Sequence, residues 1–381
     1  MASSDHPHAR DPLLVADEGH RDCLLGNEAI VRGALEAGVA FACGYPGTPS
    51  SEVTDSFARI APLTGIEFEY SVNEKIAVEM AFAASLAGAR SICAMKHLGL
   101  MVAGDPLSTI PYIGTVAGMV IVSAGDPSCR TSPNEQDQRH LGPMLHFPVL
   151  DPSTPQEALE LARLAFELSE ECNLPVLLRP TTRVCHTRGV VRFGRLEEPR
   201  VAGFRRDPAR FNPVPVNARR MRIELEERLE RARAWIARAG LLRKEGAGET
   251  AILTAGAPAA TCHDILEERG LLAGSDLALI TLSALHPLPE EPLAEMLREV
   301  RRLLVVEELS PYLEDRVAAL ASRHGLAIEI LGKQSGHLPV EFELEPPAIE
   351  GALWEAFGLG APPEPGPETP RLPPRPPILC A

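Results

Sequence analysis

The stretch IEFEYSVNEKIAVEMAFAASLAGARSICAMK, residues 66–96, indicates the fold of this protein. It predicts a strand at residues 66–71, a helix at residues 75–87 and a strand at residues 91–96. The predicted helix is followed by Gly88, a residue that commonly ends helices. A strand, a helix and a further strand in this order are typical of a parallel sheet covered by helices. The sequence therefore predicts an α/β fold.

The same alternation of apolar strands and small-residue helices extends over residues 22–194. Further strands are predicted at residues 40–45, 119–123 and 176–180, and a helix at residues 156–172 before Asn173. These elements predict one doubly wound domain with a parallel sheet over residues 22–194.

A second doubly wound domain is predicted after a charged linker. The linker, residues 195–247, is rich in Arg and Glu and contains a predicted amphipathic helix at residues 221–239. Because Glu is interspersed with Arg, a solvated helix is favoured over a basic binding patch. The second domain is predicted over residues 248–360, with strands at 251–255, 277–282, 303–307 and 327–331 and helices at 261–269, 293–300 and 312–324.

The two ends of the chain have compositions that do not favour a packed core. Residues 1–21 are polar and lack the apolar centre of a secretory signal, so they are predicted to be a disordered N-terminus. Nine of residues 361–381 are proline, which predicts an extended Pro-rich tail.

Charge and composition exclude several classes of function. A formal net charge of -15 disfavours a nucleic-acid partner, since phosphate binding depends on clustered Lys and Arg. No apolar run approaches the roughly 20 residues needed to span a bilayer, so a membrane partner is not expected. The eight cysteines form no C-x-x-C pair, which disfavours zinc and iron–sulfur sites on this chain. Reduced cysteines predict a cytoplasmic protein.

The run GYPGTPSSE, residues 44–52, lies between a predicted strand and a predicted helix. Thr48 is a candidate helix cap, with Pro49 at the first helical position. The carboxyl end of a parallel strand is also where such sheets bind anionic groups, and Thr48 offers a hydroxyl donor there. Both interpretations remain open from the residues alone.

Asn73 and Glu74 follow the next predicted strand and open a helix rich in alanine. The small side chains of that helix would let a cofactor approach Glu74. The alternative is that Asn73 and Glu74 only cap the helix.

These motifs and several others carry a resemblance to a known family. An Asn-Glu pair before a small-residue helix resembles the pyrimidine domain of thiamine-diphosphate enzymes, and residues 45–51 resemble a turn of the 2-oxoacid:ferredoxin oxidoreductases. The chain is similar to the large (alpha) subunit of the indolepyruvate ferredoxin oxidoreductases in further runs, at residues 95–100, 105–107, 125–127, 134–137, 178–186, 211–220 and 332–339.

The resemblance implies a thiamine pyrimidine-binding domain followed by a transketolase C-terminal-like domain. It implies oxidative decarboxylation of an arylpyruvate to an acyl-CoA, with reduction of ferredoxin. Glu74 matches the glutamate that binds and activates the thiamine aminopyrimidine, a role that favours a buried carboxyl group. Thr48 matches a residue near the substrate carboxylate. Lys96 and His97 are candidates for neutralising substrate charge, with solvation at the surface as the alternative.

The resemblance also implies cofactor-binding residues around Glu74, and these are Tyr45, Pro46, Asn73, Asn134 and Gln136, with Glu135 as a further lining residue. The sequence has no Gly-Asp-Gly run for the diphosphate and no cysteine clusters. Mg²⁺ and 4Fe-4S clusters are therefore expected on domains that this sequence lacks, and no metal site is predicted here.

The resemblance implies that thiamine diphosphate is shared with a partner chain that carries the diphosphate-binding domain. Further expected partners are a small gamma-type subunit, ferredoxin, CoA, the arylpyruvate substrate and other copies of this chain in a homo-oligomer. Two alternatives remain open. The chain could be a truncated, non-catalytic assembly partner, or an alpha subunit for another 2-oxo acid such as pyruvate.

Overall fold

The computed structural model describes residues 11–272 and 276–359. The helices of these residues are α1 (Gly26–Glu36), α2 (Ser51–Thr64), α3 (Glu74–Leu86), α4 (His97–Val102), α5 (Gly104–Ile113), α6 (Leu141–Leu145), α7 (Pro155–Cys172), α8 (Thr182–His186), α9 (Pro208–Phe211), α10 (Pro215–Arg238), α11 (Ala257–Glu268), α12 (Glu290–Leu297), α13 (Tyr312–His324) and α14 (Pro346–Phe357). The strands are β1 (Arg21–Leu25), β2 (Phe41–Gly44), β3 (Glu67–Tyr70), β4 (Ser91–Lys96), β5 (Met119–Ala124), β6 (Val149–Leu150), β7 (Val176–Leu178), β8 (Arg188–Arg192), β9 (Leu242–Gly246), β10 (Thr250–Ala255), β11 (Leu277–Leu282), β12 (Ala284–His286), β13 (Arg302–Val306) and β14 (Glu329–Leu331).

The first large sheet has seven strands in the order β12-β6-β7-β5-β4-β2-β3. The neighbours from β6 to β3 pair in parallel, as the sequence predicts. All residues of β4 and β5 are buried, because helices cover both faces of the sheet. The prediction of a doubly wound first domain is confirmed.

The second large sheet has five strands in the order β14-β13-β10-β11-β9. Its neighbours from β14 to β11 are parallel, and β9 adds an antiparallel edge. The predicted strand at residues 277–282 and the predicted helix at residues 312–324 have the bounds of β11 and α13. The second unit is therefore doubly wound as well.

Two short strands cross the predicted domain boundaries. β9 lies at the end of the predicted linker, yet it pairs with β11 in the second sheet. β12 lies within residues 248–360, yet it joins the first sheet, where Ala284 pairs with Leu150 and His286 with Val149. The pattern missed them because LRKEG has few apolar residues and β12 has only three residues.

The N-terminal segment is ordered from Asp11 onward. Leu13 is fully buried, and the Arg32 guanidinium of α1 donates hydrogen bonds to the carbonyls of Leu13 at 2.9 Å and Val15 at 2.6 Å. The prediction of disorder over residues 1–21 is therefore wrong for residues 11–21, because a buried arginine from α1 binds their backbone. Residues 1–10 and the predicted Pro-rich tail lie outside the described residues.

A buried ionic cluster joins the two domains. Arg139, from the loop before α6, donates to Glu307 Oε2 at 2.6 Å and to Asp137 Oδ2 at 2.6 Å. It also donates to the carbonyls of Glu308 at 2.6 Å and Ser310 at 2.9 Å. Glu307 and Glu308 directly follow β13, so Arg139 fills the carboxyl end of the second sheet, where such sheets commonly bind ligands.

Glu308 is a buried acid of this cluster with few partners. Its Oε1 accepts one hydrogen bond, from the Leu344 amide at 3.4 Å. Burial raises the pKa of Glu308 to about 7; nearby Arg179 opposes the rise, and the carboxylates of Glu343 and Asp151 add to it. The carboxyl group of Glu308 is therefore largely protonated in mildly acidic solution.

We expect Glu308→Gln to stabilise the protein at pH 8 and to change stability little at pH 5. The folded pKa lies above the unfolded value, so the stabilising protonated form is present at low pH and is lost as pH rises from about 4.5 to 7. Since one pKa unit is worth about 1.4 kcal/mol, the gain at pH 8 should be roughly 3 kcal/mol. Urea unfolding at both pH values measures it. Equal effects of Glu308→Gln and of the exposed control Glu341→Gln would contradict this assignment.

Candidate functional site

The candidate site lies at the carboxyl ends of four neighbouring strands of the first sheet, in the order β3, β2, β4 and β5. Residues 45–50 follow β2, residues 71–73 follow β3, α4 follows β4, and the loop of residues 125–137, here called the site loop, follows β5. Because these strands are parallel, the four segments meet at one edge of the sheet.

Glu74 is the first residue of α3 and is half-buried at this edge. A Cβ at position 99 would lie 2.5 Å from Cγ and 3.1 Å from Cδ of Glu74, so the Glu74 side chain packs directly on Gly99 of α4. Within the described residues, the Glu74 carboxylate has no hydrogen-bond or ion-pair partner. The carboxylate is therefore held by packing and is free to bind a ligand.

Asn73 is the residue that caps α3. Its Oδ1 accepts a hydrogen bond from the Ile76 amide at 3.0 Å. The capping interpretation is confirmed for Asn73, whose side-chain oxygen is thereby occupied.

Lys96 ends β4 and is only 9% exposed. Its Nζ donates to the Thr131 carbonyl at 3.2 Å, and a Cβ at position 47 would lie 2.9 Å from its Cδ. Lys96 therefore lies between the turn after β2 and the site loop. The alternative of a solvated surface lysine is wrong, because Lys96 is buried, with its methylenes against Gly47 and its ammonium bound to the site loop.

His97 is completely buried at the start of α4. Its Nε2 lies 3.1 Å from the Asn134 carbonyl, which can only accept, so we assign the ring proton to Nε2. Burial lowers the pKa of His97, and the charge of Lys96 adds to this effect. A neutral imidazole does not fit the expected role of neutralising substrate charge. It offers Nδ1, which is buried and has no partner in the described part of the chain, as a hydrogen-bond acceptor.

Thr48 does not cap α2. The helix begins at Ser51 with Ser50 at the cap position, because the Ser50 amide bonds to the Gly47 carbonyl at 2.8 Å and turns the chain before the helix. The prediction of Thr48 as cap and Pro49 as first helical residue is therefore wrong. The Thr48 carbonyl lies 3.4 Å from the Thr131 hydroxyl oxygen, and the Thr48 hydroxyl has no hydrogen-bond partner in residues 11–272 and 276–359.

The remaining predicted cofactor-binding residues lie on the loops of the same edge. Tyr45 and Pro46 are exposed directly after β2. Asn134 is exposed, and its side-chain oxygen accepts from Gln136 Nε2 at 3.3 Å. Glu135 points back into the site loop, where its Oε1 accepts from the Ser128 amide at 2.7 Å. Glu135 is therefore a loop-stabilising residue.

Sequence reasoning missed Asp126, which organises the site loop. Its carboxylate accepts hydrogen bonds from the Thr131 amide at 2.8 Å, the Thr131 hydroxyl at 3.1 Å and the Thr182 hydroxyl at 3.1 Å. Burial alone would raise the pKa of Asp126, but the hydrogen bonds from Thr131 and Thr182 hold it below its usual value. The sequence signal was an aspartate two residues past a buried strand, but its partners could not be read from spacing.

Residues 11–272 and 276–359 contain no group of three or more His, Cys, Asp or Glu side chains arranged to hold a metal ion. None of their helices has the length and apolar character needed to cross a membrane.

Comparison with known proteins identifies relatives of this chain. Residues 32–233, just over half of the chain, match the family described as pyruvate flavodoxin/ferredoxin oxidoreductase, thiamine diphosphate-binding. The indolepyruvate oxidoreductase subunit IorA of Methanothermobacter marburgensis is 44% identical over 374 residues, which cover 97% of this chain and 60% of that relative. The chain thus spans about 60% of the length of such relatives.

Two solved structures share the fold at low sequence identity. The 2-oxoglutarate:ferredoxin oxidoreductase from Magnetococcus marinus has a TM-score of 0.70 at 15% identity, covering 89% of this chain and 65% of that one. A split-gene transketolase, described as an inactive beta4 tetramer, has a TM-score of 0.53 at 16% identity, covering 88% of this chain and 99% of that one. Both doubly wound domains are therefore known architectures.

Proposed function

Because this chain belongs to the pyruvate flavodoxin/ferredoxin oxidoreductase, thiamine diphosphate-binding family, we propose that it forms the pyrimidine half of a thiamine diphosphate site in an indolepyruvate:ferredoxin oxidoreductase. The overall reaction is oxidative decarboxylation of an arylpyruvate to its acyl-CoA. The observation that carries the proposal is the Glu74 carboxylate, which packs on Gly99 at the carboxyl edge of the sheet without a protein partner among the described residues.

The residues at this edge fit an aminopyrimidine ring. Thiamine diphosphate, when bound, supplies the electron sink for decarboxylation. Glu74 would share a proton with a ring nitrogen, and Gly99 keeps its carboxyl group in place. The unpartnered His97 Nδ1 would accept a hydrogen bond from an amino group, while Tyr45, Pro46, Asn73, Asn134 and Gln136 would line the ring.

The substrate carboxylate would bind beside Lys96 and Thr48. The Lys96 ammonium is held between two loops, so its charge is positioned with little loss of side-chain entropy on binding. The free Thr48 hydroxyl would donate a second hydrogen bond and orient the 2-oxo acid. His97 is neutral and offers only an acceptor at Nδ1, so it would not bind the carboxylate directly.

The surface beside Glu74 supports a site shared with another chain. Val72, Met101 and Val102 are 80%, 61% and 53% exposed, and they flank Glu74 and Gly99 in the sequence. Covering such apolar side chains would favour association with a chain that carries the diphosphate-binding domain. That part of the complex would hold Mg²⁺ and the 4Fe-4S clusters, and a small gamma-type subunit, ferredoxin and CoA would complete it. The free state of the seven described cysteines supports a cytoplasmic location.

The test is reconstitution of the complex with its partner chains under anaerobic conditions. We expect ferredoxin reduction that depends on thiamine diphosphate and CoA, with kcat/KM highest for indolepyruvate and phenylpyruvate. A higher kcat/KM for pyruvate would overturn the arylpyruvate assignment. An assembled complex that binds thiamine diphosphate but reduces no ferredoxin with any 2-oxo acid would overturn the enzymatic proposal and favour an assembly role.

A further inference from the structure

The second domain contacts the site loop through residues 343–345. Arg130 of the site loop binds Glu343 Oε2 at 2.9 Å and Glu345 Oε1 at 3.2 Å. Arg183 of α8 binds Glu343 Oε1 at 2.6 Å, so the two carboxylate oxygens of Glu343 are held by two arginines of the first domain. Of the two acids, Glu343 makes the more buried contact, because its side chain is 9% exposed and that of Glu345 is 58% exposed.

The same contact lies on a strained turn of the site loop. Ser128 and Cys129 both have positive φ values, 72° and 49°, which non-glycine residues rarely adopt in succession. Such a backbone persists only where its surroundings fix it. The Ser128 amide donates to Glu135 Oε1 at 2.7 Å, and the Ser128 hydroxyl accepts from the Glu343 amide at 2.9 Å. The turn is therefore fixed from within the loop and from the second domain.

The site loop in turn holds the two basic residues of the candidate site. Its Thr131 carbonyl accepts from Lys96 Nζ, and its Asn134 carbonyl lies against His97 Nε2. Thr131 also reaches the turn that carries Thr48. Contacts thus run without a break from Glu343 through the strained turn to the residues assigned to the substrate carboxylate.

We propose that Glu343 is a positioning residue through which the second domain fixes the site loop, and with it Lys96, for binding of the 2-oxo acid carboxylate. This inference rests on the proposed function for its substrate. The dependence of the site loop on Glu343 does not rest on the proposed function. Glu74 is held separately, by Gly99 and the cap of α3, so the inference separates substrate binding from cofactor activation.

The first test is amide hydrogen exchange of the full chain, followed by mass spectrometry. We expect Glu343→Ala to speed exchange in residues 126–137 by about 10-fold or more, because a local opening no longer has to break the two ion pairs of Glu343. The contacts of both arginines with the exposed Glu345, and the hydrogen bond from the amide of residue 343 to Ser128, remain in this variant. Glu343→Gln keeps an acceptor oxygen and should give a smaller increase. The control is Glu350→Ala, which removes another second-domain ion pair, with Arg269 at 2.8 Å, and should leave the site loop unchanged. Unchanged exchange in Glu343→Ala would overturn the inference.

The second test uses the reconstituted complex and separates positioning from simple destabilisation. We expect Glu343→Ala to raise KM for the 2-oxo acid about 10-fold with kcat within about twofold, the pattern of lost ground-state binding. A merely destabilised protein would instead lose kcat in proportion to folded enzyme, and that result would overturn the role. If the wild-type complex oxidises no 2-oxo acid, the proposed function fails, while the exchange experiment still decides whether Glu343 fixes the loop.

Discussion

Replacing Glu74 by Gln is expected to lower turnover of the assembled complex by about 100-fold or more, the scale of a lost acid–base group. Gln has nearly the same shape, so it should still pack on Gly99 and leave the fold intact. It cannot share a proton with a ring nitrogen as a carboxyl group does. Steady-state rates of ferredoxin reduction measure the effect, and unchanged turnover would remove Glu74 as the catalytic residue.

Matched controls separate the carboxyl chemistry from its placement. Glu79→Gln changes an exposed carboxylate of the same helix, and turnover should stay within about twofold. Gly99→Ala leaves the carboxylate but puts a Cβ 2.5 Å from Glu74 Cγ, so the side chain must turn away and turnover should fall at least about tenfold. Gly104→Ala meets no atom within 4 Å and should have no such effect.

Replacing Arg139 by Met is expected to lower the free energy of unfolding by about 3–5 kcal/mol, the scale for breaking a buried ion pair. The arginine is 3% exposed and binds both Asp137 and Glu307, so its loss leaves two buried carboxylates without their cation. Without that cation, the folded protein would be more stable when these two carboxyl groups are protonated. The destabilisation measured by urea unfolding should therefore be larger at pH 8 than at pH 5.

The control for this change is Arg163→Met. Arg163 forms an exposed ion pair with Glu167 one turn along α7, at 2.8 Å, and such pairs contribute at most about 0.5 kcal/mol. If Arg139→Met lowered the free energy of unfolding as little as Arg163→Met, the buried cluster between the two domains would contribute little to stability.

The order of strands and helices could be read from the sequence because each large element carries its own periodic signal. The strand SICAMK and the helix YLEDRVAALASRH have the predicted bounds, since buried strands are continuously apolar and surface helices repeat every three to four residues. β6, β9 and β12 escaped prediction because their pairing partners, and not their own residues, make them strands. Residues 11–21 escaped because their order comes from Arg32, a residue of a different segment.

The site was predictable as far as strand ends could be located. Glu74, Lys96 and His97 follow or end neighbouring strands, so their shared edge follows from the parallel order. The burial and packing of these three side chains could not be predicted from the strand order. Burial of Lys96 and His97 depends on the site loop, and the packing of Glu74 on Gly99 joins residues 25 positions apart. Thr48 was misassigned because a turn bonded through Ser50 delays the helix by two residues, which no spacing rule reports.

The short strand β12 links the two domains, because it follows β11 of the second sheet along the chain but pairs with β6 of the first sheet. A chain cut at the linker would leave β6 paired only with β7, and its other edge would be exposed to pairing with another chain. Recombination or gene fission at the linker would therefore give an amino-terminal product whose first sheet has an exposed edge strand. Natural variation in domain arrangement should accordingly keep β6 and β12 on the same chain.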